Sequence, residues 1–233
     1  MRVEGNPDLK QAEIENIDLR WEYYFNSVES FSVALFSKDF TNPIELVSVP
    51  ASGNLLQIRN ADSATNVGIE FDVYKSLAEL GSFDFWPGFM RELPWSELYV
   101  GANYAFIDSE IDLGDNQGIQ TNAKRPLQGQ SKYVANVSLS WQPADGLTEA
   151  TLLYNVFGER ISRVGVSGLP DVVEEPFNQL DFTMSRTLPW ENWKMKLRLR
   201  NLLDPEVRFS QGGQPTRTYY KGREVALSVE WKF

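Results

Sequence analysis

The last eleven residues alternate. In REVALSVEWKF (223–233), Val225, Leu227, Val229, Trp231 and Phe233 fall on one side, and Glu224, Ala226, Ser228, Glu230 and Lys232 on the other. The period is two rather than 3.6, and it recurs along the chain. NIDLRWEYYF (16–25) sets Ile17, Leu19, Trp21, Tyr23 and Phe25 against Asp18, Arg20 and Glu22. FSVALFSKDF (31–40), NVGIEFDVY (66–74), ELYVGANYAF (97–106), KYVANVSLSW (132–141), EATLLYNVFGERI (149–161), QLDFTMSR (179–186) and KMKLRLRNLL (194–203) complete a set of nine predicted strands. Globular strands average about 5–6 residues, whereas ~9–11 are needed to cross a bilayer. Most of these segments run near ten residues, which favours an all-β, antiparallel transmembrane fold over a sandwich.

The connections carry a second pattern. Short ones (26–30, 142–147, 188–192) alternate with long ones (41–65, 111–130, 165–178, 204–222). Outer-membrane barrels have short periplasmic turns and long extracellular loops. With the long loops outside, the first and last strands both run inward. An odd strand count is then expected to be part of a larger barrel, because bacterial single-chain barrels have an even number. The stretch 76–96, SLAELGSFDFWPGFMRELPWS, breaks the alternation, being long where a turn is due. Phe83, Phe85, Trp86, Phe89 and Trp95 suit an interfacial excursion near lipid headgroups, or equally a small water-side subdomain. The polar faces, with Arg20, Glu22, Glu70, Asp72, Lys196 and Arg198, are expected to line a wet lumen.

Composition narrows the function. The chain has neither His nor Cys, which removes the commonest general base, thiolate metal sites and disulfides. Nothing suggests catalysis, a metal centre or a cofactor. A net charge of −10 disfavours a nucleic-acid partner. No run of about 18 apolar residues marks a transmembrane helix. MRVEGNPDLKQAEIENID (1–18) lacks an apolar stretch, so no signal peptide is expected.

These segments together resemble the C-terminal barrel region of TonB-dependent outer-membrane receptors. RVEGNPDLKQAEIENIDLRWEYYF (2–25) is similar to the family's GNPxLKPExxxNxDLxxEYYF, with Gln11 where Pro is usual. The likeness continues through FSVALFSKDFTNPIE (31–45), NVGIEFDV (66–73), RPLQGQSKYVANVSLSW (125–141) and LLYNVFGERISRVG (152–165). LDFTMSR (180–186), KLRLRNLLDPE (196–206) and YYKGREVALSVEWKF (219–233) complete it. The resemblance implies a segment, residues 1–233, of a 22-stranded barrel, without its plug, TonB box or early strands. It implies an outer-membrane receptor of a Gram-negative bacterium that imports a scarce small-molecule nutrient: an iron-siderophore, cobalamin or a glycan. The implied partners are outer-membrane lipid and lipopolysaccharide, a plug, the energy-supplying TonB complex and the barrel assembly machinery. Gly222, Val225, Leu227, Val229, Trp231 and Phe233 resemble the assembly signal, which that machinery reads as an edge strand.

Candidate ligand contacts are loop residues: Asn42 and Glu45 in NPIE, Asp115 and Asn116 in GDNQG, and Asp171 and Glu174 in SGLPDVVEEP. For Asn42 a turn role competes. GDNQG could bind calcium through oxygens, but its spacing is not that of an EF-hand, so a plain loop is expected. The row Lys194, Lys196, Arg198 and Arg200 is expected to pair with acids on neighbouring strands or on the plug. A passive porin and a soluble carbohydrate-binding sandwich are the alternatives.

Overall fold

The computed structural model describes residues 2–49, 55–84, 86–114, 118–190 and 192–231. Nine strands form one antiparallel wall: β1 (Glu13–Tyr24), β2 (Ser30–Thr41), β3 (Ser63–Ser76), β4 (Leu98–Asp112), β5 (Tyr133–Trp141), β6 (Thr148–Phe157), β7 (Phe177–Thr187), β8 (Trp193–Arg200) and β9 (Glu224–Trp231). Each pairs only with its sequence neighbours along the wall, so the topology is an uninterrupted meander with β1 and β9 at its edges. Lys124–Arg125 adds a short rung on the outer end of β4.

The registers sort the side chains into two faces, because directly paired residues share a side of the sheet. One apolar row runs Leu19, Leu35, Ile69, Phe106; another runs Leu139, Leu152, Phe182, Leu199, Val225. These side chains are not packed against protein: Ile17, Leu19 and Val225 are 73%, 68% and 71% exposed. Among the described residues no second sheet covers this face, which excludes the sandwich. In lipid such a face is satisfied without a protein core. The opposite face carries a polar row: Glu22, Ser32, Asp72, Asn103, Asn136, Asn155, Gln179. Within it, Asn103 Nδ2 donates to Asp72 Oδ2 at 3.5 Å, and Asn155 donates to Asn136.

Short turns close one end. Asn26 Oδ1 accepts from the Val28 and Glu29 amides, both at 2.9 Å, and so shapes the β1–β2 turn. Between β5 and β6 the Gly146 amide bonds Pro143 O at 3.0 Å, with Gly146 at φ 66°. The β3–β4 connection is different. It folds into three short helical turns, Ala78–Ser82, Gly88–Arg91 and Trp95–Glu97.

The other end departs from the expected loops. Ile44–Val49 and Leu55–Asn60 form a hairpin, and Arg2–Glu4 joins it in parallel. Arg160–Arg163, Val172–Glu174, Glu206–Gln211 and Gln214–Tyr220 form a four-stranded sheet. Among the described residues two buried apolar clusters lie at this end. One comprises Ala61, Ala64, Ile111 and Leu113, and the other Val172, Phe177, Val207 and Phe209. The strand expected to run on to Ile161 stops at Phe157. Gly158 lies against the Tyr133 ring, where a Cβ would come within 2.6 Å, and the chain turns there into the outer sheet. Phe85, Asp115, Asn116 and Phe233 lie outside the described residues.

Candidate functional site

The two outer sheets form a cap on the wall, and one residue stitches them together. Gln128 Oε1 accepts from the Leu46 amide at 3.3 Å, while its Nε2 donates to Ser162 O at 2.8 Å. Beside it sits a fully enclosed ion pair. Arg125 Nη1 and Nη2 meet the two oxygens of Glu45 at 2.9 and 2.6 Å, and Nη2 also donates to Gln120 Oε1 at 2.9 Å. The two side chains are 2% and 4% exposed. A bidentate fork is the strongest guanidinium–carboxylate geometry, and the Gln128 amide at 3.2 Å gives the carboxylate a further donor. The pair joins the first long loop to the rung on β4. Nearby Lys124 is held above its usual range by the carboxylates of Glu110, at 3.3 Å, and Asp112, at 3.4 Å.

Between the two sheets opens a cleft of about 460 Å³. Leu46, Leu56, Val172 and Phe209 give it apolar walls, and Arg163 and Arg217 bring charge to it. The Arg217 guanidinium lies 3.9 Å over the Phe209 ring, and Phe209 stacks on Tyr219 at 6.5 Å. Three acids of the cap are held in ion pairs: Glu45 with Arg125, Glu174 with Arg160 and Glu175 with Arg208. Among the described residues Arg163 and Arg217 have no carboxylate partner. In a chain of net charge −10, the cleft is locally cationic. An apolar floor with unpaired guanidinium groups suits an anion with a flat or apolar body.

The residues singled out from sequence have internal tasks. Asn42 takes φ 52°, with its amide on Asp62 O at 3.1 Å and its carbonyl accepting from Asn60 Nδ2 at 2.7 Å. Glu45 is in the buried pair. Asp171 accepts from the Gly165 amide at 2.6 Å and from Asn122 Nδ2 at 3.0 Å. Glu174 pairs with Arg160 Nε at 2.8 Å. Arg163 and Arg217 were not legible as a site. They stand some fifty residues apart, and the only cue was basic residues in loops whose acids are otherwise plentiful. Among the described residues no group of acids stands close enough to hold a metal ion.

On the wall, the basic row of β8 is partly matched. Lys194 and Arg200 face Glu230 and Glu224 across the β9 ladder, and Arg200 lies 3.6 Å from Glu224. Arg198 faces Thr183 and Ala226, and its buried Nε has no hydrogen-bond partner among the described residues. Before β9, Asn201 donates to Asp204 Oδ1 at 3.2 Å and to Gly222 O at 2.7 Å. The Gly222 amide returns to Asp204 Oδ1 at 3.0 Å, which pins Gly222 at φ 81°. Val225, Leu227, Val229 and Trp231 then project from the exposed apolar face.

Comparison with known proteins matches this arrangement. The family described as TonB dependent receptor-like, beta-barrel, matches residues 2–202. The iron-regulated outer membrane virulence protein of Vibrio cholerae is 25% identical over 228 residues, covering 97% of this chain and 32% of that protein. Among solved structures, the ferric enterobactin receptor of Pseudomonas aeruginosa matches with TM-score 0.63 at 17% identity, over 99% of this chain and 33% of its own. The ferric yersiniabactin uptake receptor of Yersinia pestis matches with TM-score 0.60 at 17% identity, over 95% and 30%. The chain therefore spans about a third of the length of the relatives it matches.

Proposed function

Because the chain belongs to the TonB-dependent receptor-like β-barrel family of the outer membrane, we propose that it forms the C-terminal wall and outer cap of a receptor importing a ferric siderophore. It does so by binding rather than catalysis. Receptors of this family work with a plug, with TonB and with a small-molecule ligand. The observation that carries the reading is the cleft between the outer sheets, with Arg163 and Arg217 unpaired above an apolar floor. It supports an anionic iron chelate over a neutral glycan or cobalamin. The relatives' names, with iron, enterobactin and yersiniabactin in them, support the same cargo.

Two further partners follow from the wall. Its apolar face meets lipid, and the cap, with Lys124, Arg163 and Arg217 among its charges, stands at the level of the anionic lipopolysaccharide headgroups. The strand from Gly222 through Val225, Leu227, Val229 and Trp231, with Phe233 following in sequence, serves as the edge read by the assembly machinery. A passive porin remains the second reading, and it would need no specific cleft.

The test is binding and uptake of radiolabelled ferric siderophores by cells carrying the double variant Arg163→Ala/Arg217→Ala. A hydrogen bond to a charged group contributes about 1.5–3 kcal/mol, so binding should weaken by at least about tenfold. Unchanged binding removes the cleft from the cargo path. Uptake that persists without saturation, energy or cargo preference favours the porin.

A further inference from the structure

The segment at residues 77–97 replaces what elsewhere on that side is a tight turn. It is built to hold its own shape. Trp86 and Trp95 stack with centroids 5.8 Å apart, and their indole N–H groups donate to Leu80 O and Met90 O, each at 2.7 Å. Arg91 donates to the carbonyls of Trp86 and Asp84. The unit nevertheless leaves Phe89 71% exposed and Leu93 42% exposed. A polar surface would serve a water-side turn better, so those two residues need an apolar neighbour.

Both ends of the segment are tied to the lipid face of the wall. At the start, Glu79 lies 3.4 Å from Lys75, which also holds Glu29 at 2.9 Å. Lys75 pairs with Val100, and Val100 with Leu139, so it belongs to the apolar face. At the far end, the Trp141 indole donates to Glu97 at 2.8 Å, and Trp141 pairs with Leu98 and Ala150 on the same face. The segment thus hangs outside the wall rather than beneath the lumen. It continues a band of aromatics at this end: Phe25 against Tyr23 at 5.0 Å, Trp141, and Trp193 stacked on Trp231 at 6.0 Å. Amphipathic rings gather at the headgroup level of a bilayer. The segment carries Glu79, Asp84, Glu92 and Glu97 against Arg91, which opposes an anionic surface.

We propose that residues 77–97 are a membrane foot, with Phe89 and Leu93 seated in the zwitterionic headgroup layer of the inner leaflet. This goes beyond cargo import and rests only on the lipid-facing wall, so uptake assays do not bear on it. The chain contains no Cys, which makes single spin labels clean within it. The full protein is reconstituted in phosphatidylcholine vesicles with a nitroxide at Leu93→Cys. Leu139→Cys on the wall and Asp145→Cys in the β5–β6 turn are the references. Collisions with oxygen and with a water-soluble nickel chelate are read. At Leu93→Cys the chelate collision rate should fall at least about tenfold below that at Asp145→Cys, with oxygen access retained, the factor that one seated aromatic supplies. Adding Phe89→Ser should restore chelate access. A label as open to the chelate as Asp145→Cys overturns the proposal. So does a label shielded from both probes and unchanged in detergent, since protein and not lipid would then cover it.

Discussion

The wall and the cap are made of the same chain and obey opposite rules. In the wall, large apolar residues are exposed and polar ones share the other face. In the cap, Leu113, Val164, Val172 and Val207 are buried, and a salt bridge sits at 2–4% exposure. A soluble protein holds together by burying its apolar side chains in one core. The cap does this. The wall does not; it needs lipid on one side and a filled, wet interior on the other. The difference separates stability in the membrane from stability of the mouth, and each should fail independently.

The largest expected effect is in the cap. Glu45→Ala leaves Arg125 charged and enclosed, at a cost of about 3–5 kcal/mol. Hydrogen exchange should then accelerate in 44–60 and 118–131 while β6–β8 stay protected. Equal loss across the wall would mean that the two regions are one cooperative unit. Next comes the wall. Leu227→Arg puts a charge on the lipid face of β9 and should cost about 2–4 kcal/mol in a bilayer. Folding titrations in lipid vesicles measure it, and a change under ~1 kcal/mol would place Leu227 outside the hydrocarbon. The smallest effect is at the turn end. The Lys75 ammonium donates to Glu29 and, with the Ser76 amide, holds its carboxyl below the usual range. Its contribution is complete above the usual carboxylate pKa and is lost as pH falls through the lowered value. The Glu29 carboxyl resonance should titrate below the usual carboxylate range, and Lys75→Met should bring the midpoint up. A midpoint unmoved by Lys75→Met would dissolve the pair.

Why the wall was readable and the cap was not follows from the same comparison. Each wall residue meets one of two media, so Leu19 against Arg20, or Leu197 against Arg198, states its side locally. Nine predicted strands became nine strands, in order. Two overran: EATLLYNVFGERI and KMKLRLRNLL continued the alternation past Phe157 and Arg200. The stops depend on Tyr133 packing at Gly158 and on Asn201 at φ 55°, neither of which is a local pattern. Cap contacts join distant positions with no period. Glu45 reads as one more loop carboxylate until Arg125 is brought to it, and Arg163 and Arg217 become a site only when the hairpins that carry them converge.

The meander also has a clock in it. Every wall ladder joins sequence neighbours, and three of the eight, β1–β2, β5–β6 and β7–β8, do so across short turns, so those hairpins close at small entropic cost. The Glu45–Arg125 pair spans 80 residues and needs β2, β3 and β4 laid side by side to bring its two partners together. Contacts of low sequence separation generally form faster than distant ones. The buried pair therefore closes after the hairpins beneath it. It marks the moment the mouth is finished, and its formation should lag the protease protection of β1 and β2.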